Sequence, residues 1–227
     1  MSPTFVLVPG AGGEARYWHL VVDRLTRRGV GARAVELPGP DPDVGMDGYV
    51  RIVRHEVRRG RGEVVLVGQS MGGFTAAWVA AVEPVAELVL LNAMIPLPGE
   101  TPEQWWDSTD QAGALRVADL ESGRDPEGPF DLRARFLHDV PLEALAGAGD
   151  ERPESDAVSH DPWGPESWPD VTTRVLVGAD DRLFPADFQE RVAWQRLALP
   201  VERVPGGHLA ALSQPEAVTA ALLRPYR

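Results

Sequence analysis

The run Val64-Val65-Leu66-Val67-Gly68-Gln69-Ser70-Met71-Gly72-Gly73 constrains the fold more than any other stretch of the chain. Its apolar start reads as a buried strand. The strand ends on Gly68, Ser70 follows two residues later, and a helix-like segment begins at once. This is the G-x-S-x-G spacing, in which a strand turns into a helix so sharply that the serine is held in a strained backbone conformation. Residues two positions either side must be small, because larger side chains would strike the adjoining strand and helix. The expected result is one hydroxyl raised at the carboxyl edge of a parallel sheet. The Met71 amide, at a helix N-terminus, is then free to bind an oxyanion.

The rest of the chain supplies such a sheet. Strand-like runs occur at Thr4–Val8, Val30–Leu37, Glu63–Val67, Ala86–Leu91, Val171–Val177 and Pro200–Val204. Helix-period patterns lie between or after them at Arg16–Arg27, Gly48–Arg59, Met71–Val82, Ala186–Leu197 and Pro215–Leu223. Strands alternating with helices imply right-handed crossovers and an α/β fold. The expectation is a six-stranded, mostly parallel sheet flanked by helices. Residues 93–168 break the rhythm. They are rich in Pro, Gly, Asp and Glu, with short helical pieces at Pro102–Ser108 and Asp131–Phe136 and no strand. So long an insertion between sheet strands reads as a helical lid. The core is then residues 1–92 and 169–227, and the lid is 93–168. No internal repeat is evident.

Composition narrows the function. A length of 227 residues suits one domain with a full core. The formal charge of −12 argues against nucleic acid and against an anionic membrane surface as partners. There is no Cys, which excludes disulfides, thiolate metal sites and a cysteine nucleophile. No charged n-region precedes the first strand, and no apolar run approaches the roughly 18 residues of a membrane span. A cytoplasmic location is the expectation. Every basic residue is Arg, so mechanisms that need Lys are closed to this chain.

A serine nucleophile needs a base, and the base needs a partner to orient it. On a strand–turn–helix elbow the chain order is serine, acid, histidine. Of His19, His55, His138, His160 and His208, only His208 follows the last strand, in Pro205-Gly206-Gly207-His208-Leu209. The glycines allow the sharp turn that returns an imidazole over the sheet edge. For the acid, Gly178-Ala179-Asp180-Asp181 offers two carboxylates. Asp181 suits the side of the turn facing His208, and Asp180 suits local backbone hydrogen bonds. The exit of the fourth strand carries Asn92, which cannot supply a negative charge. The oxyanion site needs two backbone amides: Met71, and one from Pro9-Gly10-Ala11-Gly12-Gly13, here Ala11. That glycine-rich loop fits neither the dinucleotide nor the P-loop pattern.

Val6-Leu7-Val8-Pro9-Gly10-Ala11-Gly12, Gly68-Gln69-Ser70-Met71-Gly72-Gly73, Gly178-Ala179-Asp180-Asp181-Arg182 and Gly206-Gly207-His208 together resemble the α/β-hydrolase superfamily. Phe136-Leu137-His138-Asp139-Val140-Pro141 and Asn92-Ala93-Met94-Ile95-Pro96 look like its compact subgroup of plant methylesterases, hydroxynitrile lyases and bacterial relatives. The resemblance spans almost the whole chain. It implies a Ser70–His208–Asp181 triad, amides of Ala11 and Met71 at the oxyanion, and no metal or organic cofactor. Where the family usually has His before the oxyanion glycine and before the elbow serine, this chain has Pro9 and Gln69. The Gln69 side chain is expected to point away from the proton path. The plant hydroxynitrile lyases use an active-site Lys, which is absent here.

The substrate pocket is sought among Gly10, Trp105, Trp106, Phe136 and Trp163. Trp105, Trp106, Trp163 and Trp168 all fall in the lid, where they can pack it onto the core or line an apolar acyl or alcohol pocket. Trp105 and Trp106 cannot both face inward on one helix, so at least one should meet a pocket, a neighbour or a partner subunit, as in a homodimer. His138 and His160 each adjoin an Asp, a pattern more often capping or surface pairing than metal ligation. The expected partner is a small molecule. The expected function is hydrolysis of ester-like bonds in a small apolar or aromatic substrate. A lyase or cyclising acyl-transfer enzyme on the same triad, and a non-catalytic receptor of the same fold, are the alternatives.

Overall fold

A computed structural model describes residues 3–146 and 152–226. The elements run β1 (Thr4–Val8), α1 (His19–Arg27), β2 (Gly31–Ala34), α2 (Met46–Arg58), β3 (Val64–Gln69), α3 (Gly72–Val82) and β4 (Glu87–Leu91). Then come α4 (Pro102–Ser108), α5 (Gln111–Glu121), α6 (Leu132–Phe136) and α7 (Asp156–His160). The chain closes with β5 (Thr173–Gly178), α8 (Ala186–Leu197), β6 (Val201–Val204), α9 (Ala210–Ser213) and α10 (Pro215–Leu223). The six strands form one sheet in the order β2-β1-β3-β4-β5-β6. Every pairing is parallel.

The alternation of strand side chains builds the two faces. Phe5, Leu7, Val65, Val67, Val89, Leu91 and Leu176 point to one side and pack with α1, α9 and α10. Val6, Val8, Leu66, Leu88, Leu90, Val175 and Val177 point to the other and meet α2, α3 and α8. A strand buried on both faces reads as a continuous apolar run, which is why β1, β3 and β4 stand out in the sequence. Helix α3 lies inside the second layer, with Phe74, Ala76, Ala77 and Val79 fully buried.

Differences in element bounds have local causes. β2 is shorter than Val30–Leu37 because its chain bends away from the ladder. Val35 N–H still reaches Leu7 O at 2.9 Å, but Leu37 N–H turns to Gly13 O in the loop after β1. β3 extends to Gln69, directly against the elbow serine. Between β4 and β5 the described residues contain no strand. They hold a helix the sequence pattern does not announce, α5. Its buried residues are Gln111 and Asp119, so it has no apolar stripe to read.

Candidate active site

The carboxyl ends of β1, β3, β5 and β6 converge on Ser70. β3 delivers it in the left-handed backbone region, with φ 51°. Such a conformation in a residue with a Cβ costs about 1–3 kcal/mol and persists because its surroundings enforce it. Ser70 N–H reaches Leu91 O at 3.3 Å, and Ser70 O accepts from Gly73 at 3.0 Å and Met94 at 2.9 Å. The flanking glycines are required by space. A Cβ on Gly68 would stand 2.7 Å from Gly72 O, and one on Gly72 would run into the Pro9 carbonyl. Gly10 is equally confined, since a Cβ there would lie 2.8 Å from Ser70 Cβ. Ser70 remains half-buried and so reachable.

His208 comes back over the sheet edge after β6. Its Nε2 lies 3.0 Å from Ser70 Oγ, and its Nδ1 lies 2.8 Å from Asp181 Oδ2. His208 is 1% exposed and Asp181 6%. The other oxygen of Asp181, Oδ1, accepts the amides of Leu183 at 2.8 Å and Phe184 at 2.9 Å, and Oδ2 also accepts Gln189 Nε2 at 3.3 Å. A carboxylate fixed this way holds an imidazole in one orientation. Two rings pack nearly perpendicular to the imidazole, Phe184 with its centroid at 4.9 Å and Phe136 at 5.2 Å. Asp180 is exposed and accepts Gly206 N–H at 3.2 Å. It serves the backbone, as expected, but across the site and not within its own turn.

The amides can be accounted for individually. Gly13 N–H closes a turn onto Gly10 O at 3.1 Å. Gly12 N–H goes to Glu154 Oε2 at 3.1 Å. Among the described residues, neither Ala11 N–H nor Met71 N–H has an internal acceptor. These are the two amides that the sequence singles out for an oxyanion.

The pocket candidates divide. Phe136 is half-buried against the His208 ring and meets Phe130, whose ring is largely exposed. Trp105 is 1% exposed, with Nε1 donating to Ile95 O at 3.2 Å and its ring against Phe184 and Phe188. Trp163 is 1% exposed and donates to Phe74 O at 3.1 Å. Both clamp the 93–168 segment onto the core. Trp106 is half-buried, and its ring also meets Phe184. His160 Nε2 pairs with Glu103 at 2.9 Å on the surface, and His138 packs against Gly207 in the loop that carries His208.

Several groups at the site are not flagged by motif reasoning. Asn92, fully buried with φ 47°, accepts Gly178 N–H at 2.6 Å and donates to Gly207 O at 3.0 Å and His208 O at 3.1 Å. It lacks the charge for a triad acid, yet it joins the ends of β4 and β5 to the histidine loop. An Asn at a strand exit, a residue that tolerates the left-handed region, is the signal that could have found it. Gln69 avoids the Ser70–His208 contact and donates to His208 O at 3.3 Å. Asp139 accepts Gly207 N–H at 2.7 Å, tying the 93–168 segment to the same loop.

Comparison with known proteins bears on the family and the fold. A pyrethroid hydrolase of Sphingobium wenxiniae is 31% identical over 161 residues, which is 63% of this chain and 58% of that protein. An alpha-hydroxynitrile lyase of Arabidopsis thaliana is 26% identical over 93% of this chain and 92% of its own length. The crystal structure of a pyrethroid hydrolase from Sphingobium faniae superposes with a TM-score of 0.73 at 25% identity, covering 99% of this chain and 97% of that one. Polyneuridine aldehyde esterase shares the fold at a TM-score of 0.78 and 22% identity, with both chains fully covered. Residues 5–221 match the sequence profile of the alpha/beta hydrolase family, and with its parallel sheet and its serine elbow the chain belongs to that family.

Proposed function

We propose that this protein is a serine hydrolase of carboxylic esters. One observation carries the reading: the relay Ser70 Oγ–His208 Nε2, His208 Nδ1–Asp181 Oδ2, at 3.0 and 2.8 Å, ends on a hydroxyl raised at an elbow with φ 51°. Ser70 Oγ bonds to the ester carbonyl carbon as His208 Nε2 takes its proton. The carbonyl oxygen becomes an oxyanion between the amides of Ala11 and Met71. The tetrahedral centre collapses, the carbon–oxygen bond to the alcohol breaks, and His208 gives the proton to the departing alcohol. Water then adds to the acyl-enzyme with His208 again as base. The bond to Ser70 breaks, the proton returns to Oγ, and the acid leaves. Asp181 keeps the imidazole in the required tautomer throughout. No step draws on a metal or organic cofactor.

The substrate class follows from the walls. Phe136 and Phe130 lie on the His208 side, where a leaving alcohol receives its proton, so an apolar or aromatic alcohol is favoured there. The relatives that hydrolyse pyrethroids fit this preference. In this reading residues 93–168 act as the lid that carries that wall. Turnover of p-nitrophenyl esters tests the proposal, with Ser70→Ala expected to remove at least about a thousandfold of kcat. Wild-type protein that neither hydrolyses such esters nor reacts with a serine-directed phosphonate would refute it. The similarity to a hydroxynitrile lyase favours a second reading, a lyase on the same three side chains. Cyanide release from an aromatic cyanohydrin, faster than hydrolysis of any ester tried, would select it.

A further inference from the structure

The loop after β1 is held from outside the sheet. Glu154 stands 142 residues from Gly12 in sequence, yet its Oε2 accepts the Gly12 N–H at 3.1 Å. Its Oε1 accepts the Tyr49 hydroxyl from α2 and the Ser155 N–H. The strap around it is seated on the exit of β2: Arg152 Nη2 donates to Leu37 O at 3.2 Å, and Ser155 N–H donates to Gly39 O at 2.8 Å. The strap also closes over the loop. Gly12 has φ 82°, and a Cβ on it would stand 2.6 Å from the Arg152 carbonyl oxygen.

We propose that Glu154 is a positioning residue of the oxyanion site, fixing through the Gly12 N–H the turn that aims the neighbouring Ala11 N–H at the substrate carbonyl oxygen. The inference rests on the hydrolase reading for its catalytic consequence and on hydrogen-bond geometry for its structural one. Gly13 N–H is used inside the turn and Gly12 N–H is used by Glu154, so Ala11 N–H is left over and pointed elsewhere. Preorganised donors are effective because they do not reorient as charge develops. Without the carboxyl, the glycine-rich loop regains freedom that the transition state must then remove. Burial pushes the Glu154 carboxyl above the ordinary glutamate range.

The test compares wild type with Glu154→Ala, Glu154→Asp and Glu154→Gln. Gln keeps an acceptor for Gly12, Asp withdraws it by one methylene, and Ala removes it. For p-nitrophenyl butyrate, kcat should fall about tenfold in Ala and several-fold in Asp, with KM within about twofold, and Gln should recover most of the rate. Affinity for a trifluoromethyl ketone, whose hemiketal oxygen occupies the oxyanion site, should fall with kcat. Affinity for the matching ether, which forms no oxyanion, should hold. Should Ala fail to fold, Asp gives the same comparison. Unchanged kcat and ketone affinity in Asp, or equal losses in Gln and Ala, would overturn the proposal. Amide exchange at Gly12 needs no turnover: it should be slow in wild type and Gln and fast in Ala and Asp. Equal exchange in all four overturns the clamp, whereas an inactive wild type overturns the hydrolase reading alone.

Discussion

The sheet and the 93–168 segment both reach Ser70, but they are secured by different physics. The sheet is held by the alternation of apolar side chains into two buried layers, and by backbone ladders that any suitable sequence can form. The segment is held by individual polar anchors. Asp119, 1% exposed, takes Arg135 at 2.7 Å and Arg124 at 2.8 Å. Arg196 on α8 grips Glu100, Ser108 and the Ile95 carbonyl. Trp163 and Glu154 each spend a hydrogen bond on a core backbone group, while Trp105 bonds to Ile95 O within the segment and sets its ring against Phe184 and Phe188 of the core. Apolar layers tolerate exchange of one hydrophobe for another. An anchor that loses one partner leaves the other buried and unpaired.

The largest effect should come from the turn that joins the sheet to α3, at its tightest point. Gly72→Val would drive a side chain into the Pro9 carbonyl, and no backbone there can yield. A loss of more than about 4 kcal/mol is expected, read as failure to accumulate folded protein. Next, Asp119→Ala should cost about 3 kcal/mol in urea unfolding, because Arg135 and Arg124 lose their shared partner. Since Arg135 also donates to Arg182 O, next to Asp181, kcat should fall too if the proposed relay operates. A loss near 0.5 kcal/mol would show that water replaces the anchor and would erase the contrast between the regions.

Two smaller substitutions sharpen it. Trp163→Phe should cost about 1 kcal/mol, since Phe74 O then loses the indole donor. Trp105→Phe should cost a similar amount, because Ile95 O keeps a donor in Arg196 as Phe74 O keeps one in the α3 ladder. Clearly unequal costs would mean that ring packing, not the anchor, sets them. The smallest effect concerns pH. The hydrogen bond from Arg135 holds the Asp119 carboxyl below the usual aspartate range. It therefore stabilises the fold above the ordinary Asp value, and that contribution is lost as pH falls through the lowered one. Glu154 has the opposite sign. Burial raises it, so the folded state binds the extra proton, and stability declines as pH rises through the window above the ordinary Glu value. Glu154→Gln should flatten that decline by under about 1 kcal/mol, measured as Tm against pH. An unchanged profile would mean that the carboxyl is solvated in the folded protein.

What could be read from sequence divides along the same line. Six strands and the order Ser70, Asp181, His208 are legible because each rests on local spacing: a period of two, a glycine either side of a turn, a histidine after the last strand. The helix bounds Pro102–Ser108, Ala186–Leu197 and Pro215–Leu223 are legible for the same reason, since a capping Thr101 and prolines at first helical positions mark two of them. The anchors are not. Asp119 is one acid among 34, and nothing local says that it is buried between two arginines. Glu154 meets Gly12 across most of the chain, so no window of sequence contains both. Asn92 carries no charge to mark it, and its structural part is to donate and accept at once. Trp105 and Trp163 illustrate the limit from the other side. Their residue type points equally to a pocket or to packing, and both rings are fully enclosed.

The perpendicular rings of Phe136 and Phe184 around His208 carry a consequence for chemical labelling. With 1% of the residue exposed, the imidazole is closed to bulk reagents and open toward Ser70. A general acylating agent for histidine in water should therefore modify surface imidazoles such as His160 and leave His208 untouched. An alkylating group carried on a substrate-like scaffold enters from the serine side and meets Nε2 first. Labelling of His208 thus reports occupancy of the site, and its absence with simple reagents says nothing against the residue's role.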